Sequence, residues 1–127
     1  MRRVTGIGGV FFKARDPETL RRWYHERLGI GTGADNWFVF PWRDADSGRP
    51  GATVWSLFPA DSGYFGDHSQ RCMLNYRVAD LDALLEQLRA EGVAVLPDRH
   101  QDENGRFAWI VDPEGNRIEL WQPAQGH

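Results

Sequence analysis

Asp112-Pro113-Glu114-Gly115-Asn116-Arg117-Ile118-Glu119-Leu120 closes the last hairpin of the chain, and the rest of the sequence is read outward from it. Phe107-Ala108-Trp109-Ile110-Val111 reads as the strand before the turn, and Arg117-Ile118-Glu119-Leu120-Trp121 as the strand after it. Pro113 pre-sets φ at the first corner of a type I turn. Asp112 can accept from the turn amides, and Gly115 suits the positive-φ position that closes a bulged hairpin. Period-two alternation puts Ile118 and Leu120 on one face of the second strand, with Arg117, Glu119 and Trp121 on the other. A carboxylate in mid-strand among large apolar side chains requires water or a partner. What Glu119 faces is therefore the question the sequence poses.

Upstream, the chain shows the same order of elements twice. Residues 4–12 read as a strand. Asp16-Pro17-Glu18 starts a helix with an N-cap, a proline in the first turn and an acid near the positive end of the dipole. Leu20, Trp23, Tyr24 and Leu28 form an apolar stripe at helical spacing, which predicts a core face, and Gly29 ends the helix. Residues 37–40 and 52–58 read as strands, with a polar loop at 43–51. A connector at 60–69 carries Tyr64, Phe65 and His68 and reads as a linker between halves or a mobile lid. The pattern then restarts with a strand at 70–78 and a helix capped by Asp80, striped by Leu81, Leu84, Leu85 and Leu88, and ended by Gly92. A short strand at 93–96 and the hairpin complete it. Asp16 and Asp80 stand 64 residues apart, as do Leu20 and Leu84, and Pro59 and Pro123. One offset at both ends predicts an internal repeat. It superposes Thr53-Val54-Trp55-Ser56 on Arg117-Ile118-Glu119-Leu120, with Trp55 as the counterpart of Glu119.

Composition bounds the function classes. The 127 residues are 41% hydrophobic and 13% aromatic, with six tryptophans, which predicts a globular fold with a real core. The net charge of −3 argues against binding nucleic acid by phosphate neutralisation. No window approaches the length of a membrane span, and the N-terminus lacks the apolar run of a signal peptide. Cys72 is the only cysteine, so an intrachain disulfide is impossible, and the expected compartment is the cytoplasm. No phosphate loop appears, because Gly6-Ile7-Gly8-Gly9 does not open a helix.

The doubled module, the Asp-capped helices and the closing motif at 112–120 resemble the vicinal oxygen chelate superfamily: glyoxalase I, bleomycin-resistance proteins, fosfomycin-resistance enzymes and extradiol dioxygenases. The resemblance covers nearly the whole chain. It implies an α+β fold of two βαβββ modules, 1–59 and 70–123, forming cupped mixed sheets with helices outside, within one domain spanning 1–127. It also implies a homodimer, and a ligand cavity completed within a chain or between chains. Metal-dependent members hold a divalent ion at four positions, which map here to Gly9, Trp55, Met73 and Glu119. Only Glu119 suits such an ion: Gly has no side chain, Trp no lone pair, and Met only a soft thioether. No metal is therefore assigned and no cofactor is firmly implied, with a divalent metal kept open as an alternative.

The resemblance and the alternation together nominate a small-molecule cavity. Glu119 has three readings: a general base acting next to a carbonyl, a structural residue bonded to Arg117, Arg77 or Arg71, or a metal ligand. Trp55, Leu57, Trp121, Phe11 and Met73 are expected as walls, with Asn75, Arg77, Arg117 and Lys13 bringing polar ends. His100, in a polar loop, is a further candidate ligand contact; His68 reads as a solvated connector residue, His25 as solvent-facing and His127 as terminal. The expected function is binding of a small organic molecule in an aromatic cavity, with a lyase or isomerase step beside a carbonyl. The alternatives are a drug- or metabolite-sequestering protein of the bleomycin-resistance type, and a metal enzyme with a shifted ligand set.

Overall fold

The computed structural model describes residues 3–66 and 69–125; His68 and His127 lie outside them. Nine elements follow in chain order: β1 Val4–Ala14, α1 Pro17–Leu28, β2 Trp37–Arg43, β3 Pro50–Pro59, β4 Cys72–Val78, α2 Leu81–Ala90, β5 Ala94–Asp102, β6 Gly105–Val111 and β7 Arg117–Pro123. The strands form one unclosed sheet in the order β2-β3-β1-β4-β7-β6-β5. The halves join within the chain, where β1 runs antiparallel to β4. On either side of that seam the order is mirrored, with β1 parallel to β3 and β4 parallel to β7. The second half is βαβββ in full. The first contributes βαββ, so β2 is an edge where its counterpart β6 is covered by β5.

The local signals act as expected. Asp16 accepts from the Thr19 amide at 3.2 Å and Asp80 from the Ala83 amide at 3.1 Å, so each helix has its cap. Gly29 takes the left-handed conformation, φ 70°, at the end of α1. In the hairpin, Asp112 Oδ1 accepts from the amides of Glu114 and Asn116, and Gly115, φ 87°, completes the turn.

Both helices cover one face of the sheet. Leu81, Leu84 and Leu85 of α2 pack on Val78, Ala108 and Leu120 to make a closed core. The stripe on α1 does not match this. No residue of α1 is fully buried, Trp23 is 49% exposed and Leu28 more so, which corrects the expectation of a core face. The contact is aromatic instead: Tyr24 meets Phe12 and Trp55 edge-on, with ring centroids 5.9 and 5.1 Å apart. β5 is also longer than expected, so His100 lies in a strand rather than a loop.

At the end of the seam, Trp42 lies across two glycines. A β-carbon on Gly51 would stand 2.4 Å from the Trp42 ring, and one on Gly6 2.6 Å. Gly51→Ala should therefore lower the unfolding free energy by about 1–3 kcal/mol through overpacking. Urea denaturation measures this, and the cost should shrink in a Trp42→Leu background.

Candidate active site: a cup with a buried carboxylate

The face of the sheet away from the helices encloses a cavity of about 780 Å³. Alternation aims Glu119 and Trp121 of β7, Asn75 of β4, Phe107 of β6, Val54 and Ser56 of β3 and Phe11 of β1 at this side. Tyr64, from the connector, lies against the same space. The fully buried Phe65 next to it packs with Phe11, Met73 and Trp109 and anchors this stretch. Tyr64 itself stacks on Phe58, centroids 5.5 Å apart and planes 10° off parallel. The part of the connector described is thus built into the wall of the cup.

Glu119 is 1% exposed. Its partners are three neutral donors from three different elements. Asn75 Nδ2 donates to Oε1 at 2.6 Å, Trp109 Nε1 to Oε2 at 3.0 Å, and the Tyr64 hydroxyl also donates to Oε2. The arginines expected as partners lie elsewhere. Arg77 sits with its guanidinium 4.9 Å from the Trp121 ring and 5.6 Å from that of Trp42; Arg117 lies 5.2 Å from the Trp109 ring. Burial pushes the Glu119 carboxyl above its ordinary range, against the hydrogen bonds from Tyr64, Asn75 and Trp109 and the Arg117 charge, which hold it down. Burial, then the adjacent Glu119 charge, raises the Tyr64 phenol beyond the usual phenol range.

The nominated residues divide by position. Glu119, Asn75, Trp121 and Phe11 line the cup. Met73 is beneath it, in the cluster with Phe11, Phe65 and Trp109, and Arg77 is at its end behind Trp121. Lys13 is buried beside the Phe65 ring, away from the cavity. Arg117 and His100 line a separate groove beyond Tyr64, where His100 pairs with Asp102 at 2.8 Å. His25 is half-buried against Gly33 rather than solvent-facing.

Trp55 and Leu57 need correction, because both turn to the helix side. Phe11 pairs with Ser56 just as Asn75 pairs with Glu119. The repeat offset is therefore 64 at the first strand and 63 at the last, and the missing residue flips every side chain of β3 relative to the uniform offset. The counterpart of Glu119 is Ser56.

With this correction the four mapped positions are Gly9, Ser56, Met73 and Glu119, and both Glu119 oxygens already accept hydrogen bonds. These residues do not suit the divalent metal of the wider superfamily. Among the described residues, no group of three or more His, Cys, Asp or Glu is placed to hold a metal ion.

Tyr64, Trp109, Phe107 and Ser56 are not among the site residues that the sequence nominates. Trp109 was detectable, since it lies beside Glu119 on the neighbouring strand of the hairpin. Tyr64 carried no periodic signal.

Residues 9–121 match the model of the glyoxalase-like domain family. No curated protein matches the chain in sequence. Among solved structures, methylmalonyl-CoA epimerase from Mycobacterium tuberculosis aligns with a TM-score of 0.59 at 24% identity, over 95% of this chain and 89% of that one. A Streptomyces coelicolor methylmalonyl-CoA epimerase in complex with 2-nitronate-propionyl-CoA aligns at 0.67 and 20% identity, over 95% and 99%. A protein described as an NAD-dependent benzaldehyde dehydrogenase from Legionella pneumophila aligns at 0.58 and 15% identity, over 91% and 98%. At these identities the likeness is one of fold.

A carboxyl raised by burial binds its proton more tightly in the folded chain than in the unfolded one. Its contribution to stability is full below the unfolded value, near 4.5, and is lost as pH rises towards the folded value. The unfolding free energy of the wild type should thus fall across that window relative to Glu119→Gln, by no more than about 1.4 kcal/mol per pH unit. Asp16, Asp82, Glu91, Asp102 and Asp112, all lowered, oppose this trend in both proteins, so the difference between the two pH profiles isolates Glu119.

Proposed function

The chain belongs to the glyoxalase-like domain family, within the vicinal oxygen chelate superfamily, and on that footing we propose that it binds a small, flat, mainly apolar organic molecule in the cup. The carrying observation is the cavity itself: aromatic side chains of β1, β3, β6, β7 and the connector wall about 780 Å³ above a single buried carboxylate. Apolar walls with few convergent polar groups are the profile of a small-molecule site.

The polar chemistry supports holding such a molecule in the manner of a sequestering protein. The Tyr64 hydroxyl, the Trp109 indole N–H and one N–H of Asn75 are spent on Glu119, so these three are not free to stabilise an oxyanion on a bound carbonyl compound. The proposal assigns no metal, a cytoplasmic setting and a homodimer, in which a second copy would cover the half-exposed Trp23, Trp37 and Phe40.

A second reading, a lyase or isomerase step beside a carbonyl, draws support from one feature. Burial makes Glu119 a stronger base than an exposed glutamate, and Tyr64, 39% exposed, lines the cavity and is hydrogen-bonded to it.

Ser56 faces the cup from the strand opposite Glu119, and a large side chain there would fill it. Ser56→Trp should weaken the binding of flat aromatic ligands at least about tenfold, the equivalent of ~1.4 kcal/mol. Fluorescence titration with acridine and naphthalene derivatives measures this. Wild-type protein that binds none of them would sink the proposal, and bound ligand recovered unchanged would favour sequestration over turnover.

A further inference from the structure

The hydrogen-bond inventory of the cup floor is lopsided. Asn75 is 2% exposed, and its Nδ2 is committed to Glu119, which leaves Oδ1 buried without a donor. A buried acceptor without a donor costs about 1–3 kcal/mol, so it calls for an explanation. Tyr64, which lines the cavity, donates its hydroxyl hydrogen to Glu119, so its oxygen has only acceptor capacity left. Glu119 Oε1 accepts one bond, from Asn75, and keeps a second lone pair. Three neighbouring groups therefore offer acceptors, while the Tyr64 hydroxyl and one of the two Asn75 N–H groups are already used.

Gly8 sets how this floor packs. A β-carbon there would stand 2.2 Å from Asn75 Oδ1, 2.9 Å from the Trp121 ring and 3.0 Å from Arg77 Cγ, so a side chain would displace the Asn75 amide, and Gly8 itself lines the cavity. The nearby cations do not fill the role. The Arg77 guanidinium lies between Trp42 and Trp121, and that of Arg117 over Trp109.

We infer that the cup selects ligands carrying a fork of N–H donors on the edge of a flat apolar body, as in a protonated aminoheterocycle or an aryl amidine, docked on Asn75 Oδ1 and Glu119 Oε1. This rests on the reading of the cup as a binding site for a flat organic molecule. The fork supplies the donor that Asn75 lacks and pairs a cationic edge with the carboxylate, while the body lies between the aromatic walls.

The test compares 2-aminoquinoline with 2-methylquinoline, bicycles of the same shape, by isothermal titration calorimetry on the full chain at a pH where the aminoquinoline is protonated. The aminoquinoline should bind at least about tenfold more tightly, since a hydrogen bond to a charged group is worth that much. Glu119→Gln, and independently Asn75→Leu, should bring the ratio of the two affinities towards one. Equal affinities in the wild type, or a ratio that survives both substitutions, overturn the inference and leave the cup as a site for flat molecules. Binding of neither probe overturns the inference together with the reading beneath it. The wild-type comparison needs no variant, so a substitution that fails to fold leaves the proposal decidable.

Discussion

A carboxylate taken out of water must be met by donors, and in this protein that requirement ties separate pieces of chain together. Glu119 is on β7, Asn75 on β4, Trp109 on β6, and Tyr64 on the connector between the halves. A hydrogen bond to a charged group contributes about 1.5–3 kcal/mol, whereas losing a partner leaves a buried charge that costs more than the bond was worth. The three donors are neutral, so hydrogen bonds and not an ion pair hold the carboxyl. That separates a carboxylate held ready at the floor of a cavity from one neutralised as scaffolding. It also explains why Tyr64 stays in place without a strand to carry it: Phe58 stacks on its ring, Phe65 packs beside it in the buried cluster, and Glu119 accepts its hydrogen bond.

The two halves are related by sequence and by sheet order, but they are not equal. The second half closes a core on α2, with Leu81, Leu84 and Leu85 buried. Among the described residues, the first has one strand fewer, leaves β2 as an edge and buries no residue of α1 completely. Pro41, which cannot donate to a sheet ladder, is tolerated in β2 because that strand has a neighbour on one side only. The asymmetry reaches the cavity, where β7 carries the carboxylate and the matching position of β3 carries a hydroxyl.

Much of this was legible in the sequence because the signals were local. Asp16 and Asp80 cap their helices, the hairpin at 112–116 turns as its residues dictate, and the α2 stripe is core. The errors came where a conclusion depended on distant pairing. Trp55 was set opposite Glu119 by carrying a 64-residue offset to the last strand. The side-chain period of a strand is two, so one lost residue sends Trp55 and Leu57 to the helices and brings Val54 and Ser56 inward. The α1 stripe misled for a related reason. Periodicity reports which side chains share a face, while burial depends on how much sheet exists to cover them.

The corrected register changes the argument about chemistry as well as the geometry. With Trp55 at the mirrored position, the cup would hold a carboxylate facing an indole, and loss of the metal would be a matter of bulk. With Ser56 there, the wall opposite Glu119 is small, and the space a shared ion would bridge is left to a ligand. The Tyr64 hydroxyl, the Trp109 N–H and one Asn75 N–H are then used within the protein, so a bound molecule meets mainly acceptors at the floor and π faces on the walls. Both favour a positive or N–H-bearing edge on a flat body. Recognition in this cup therefore follows from how the fold satisfies its own buried charge: each donor committed to Glu119 is one that a ligand must supply for itself.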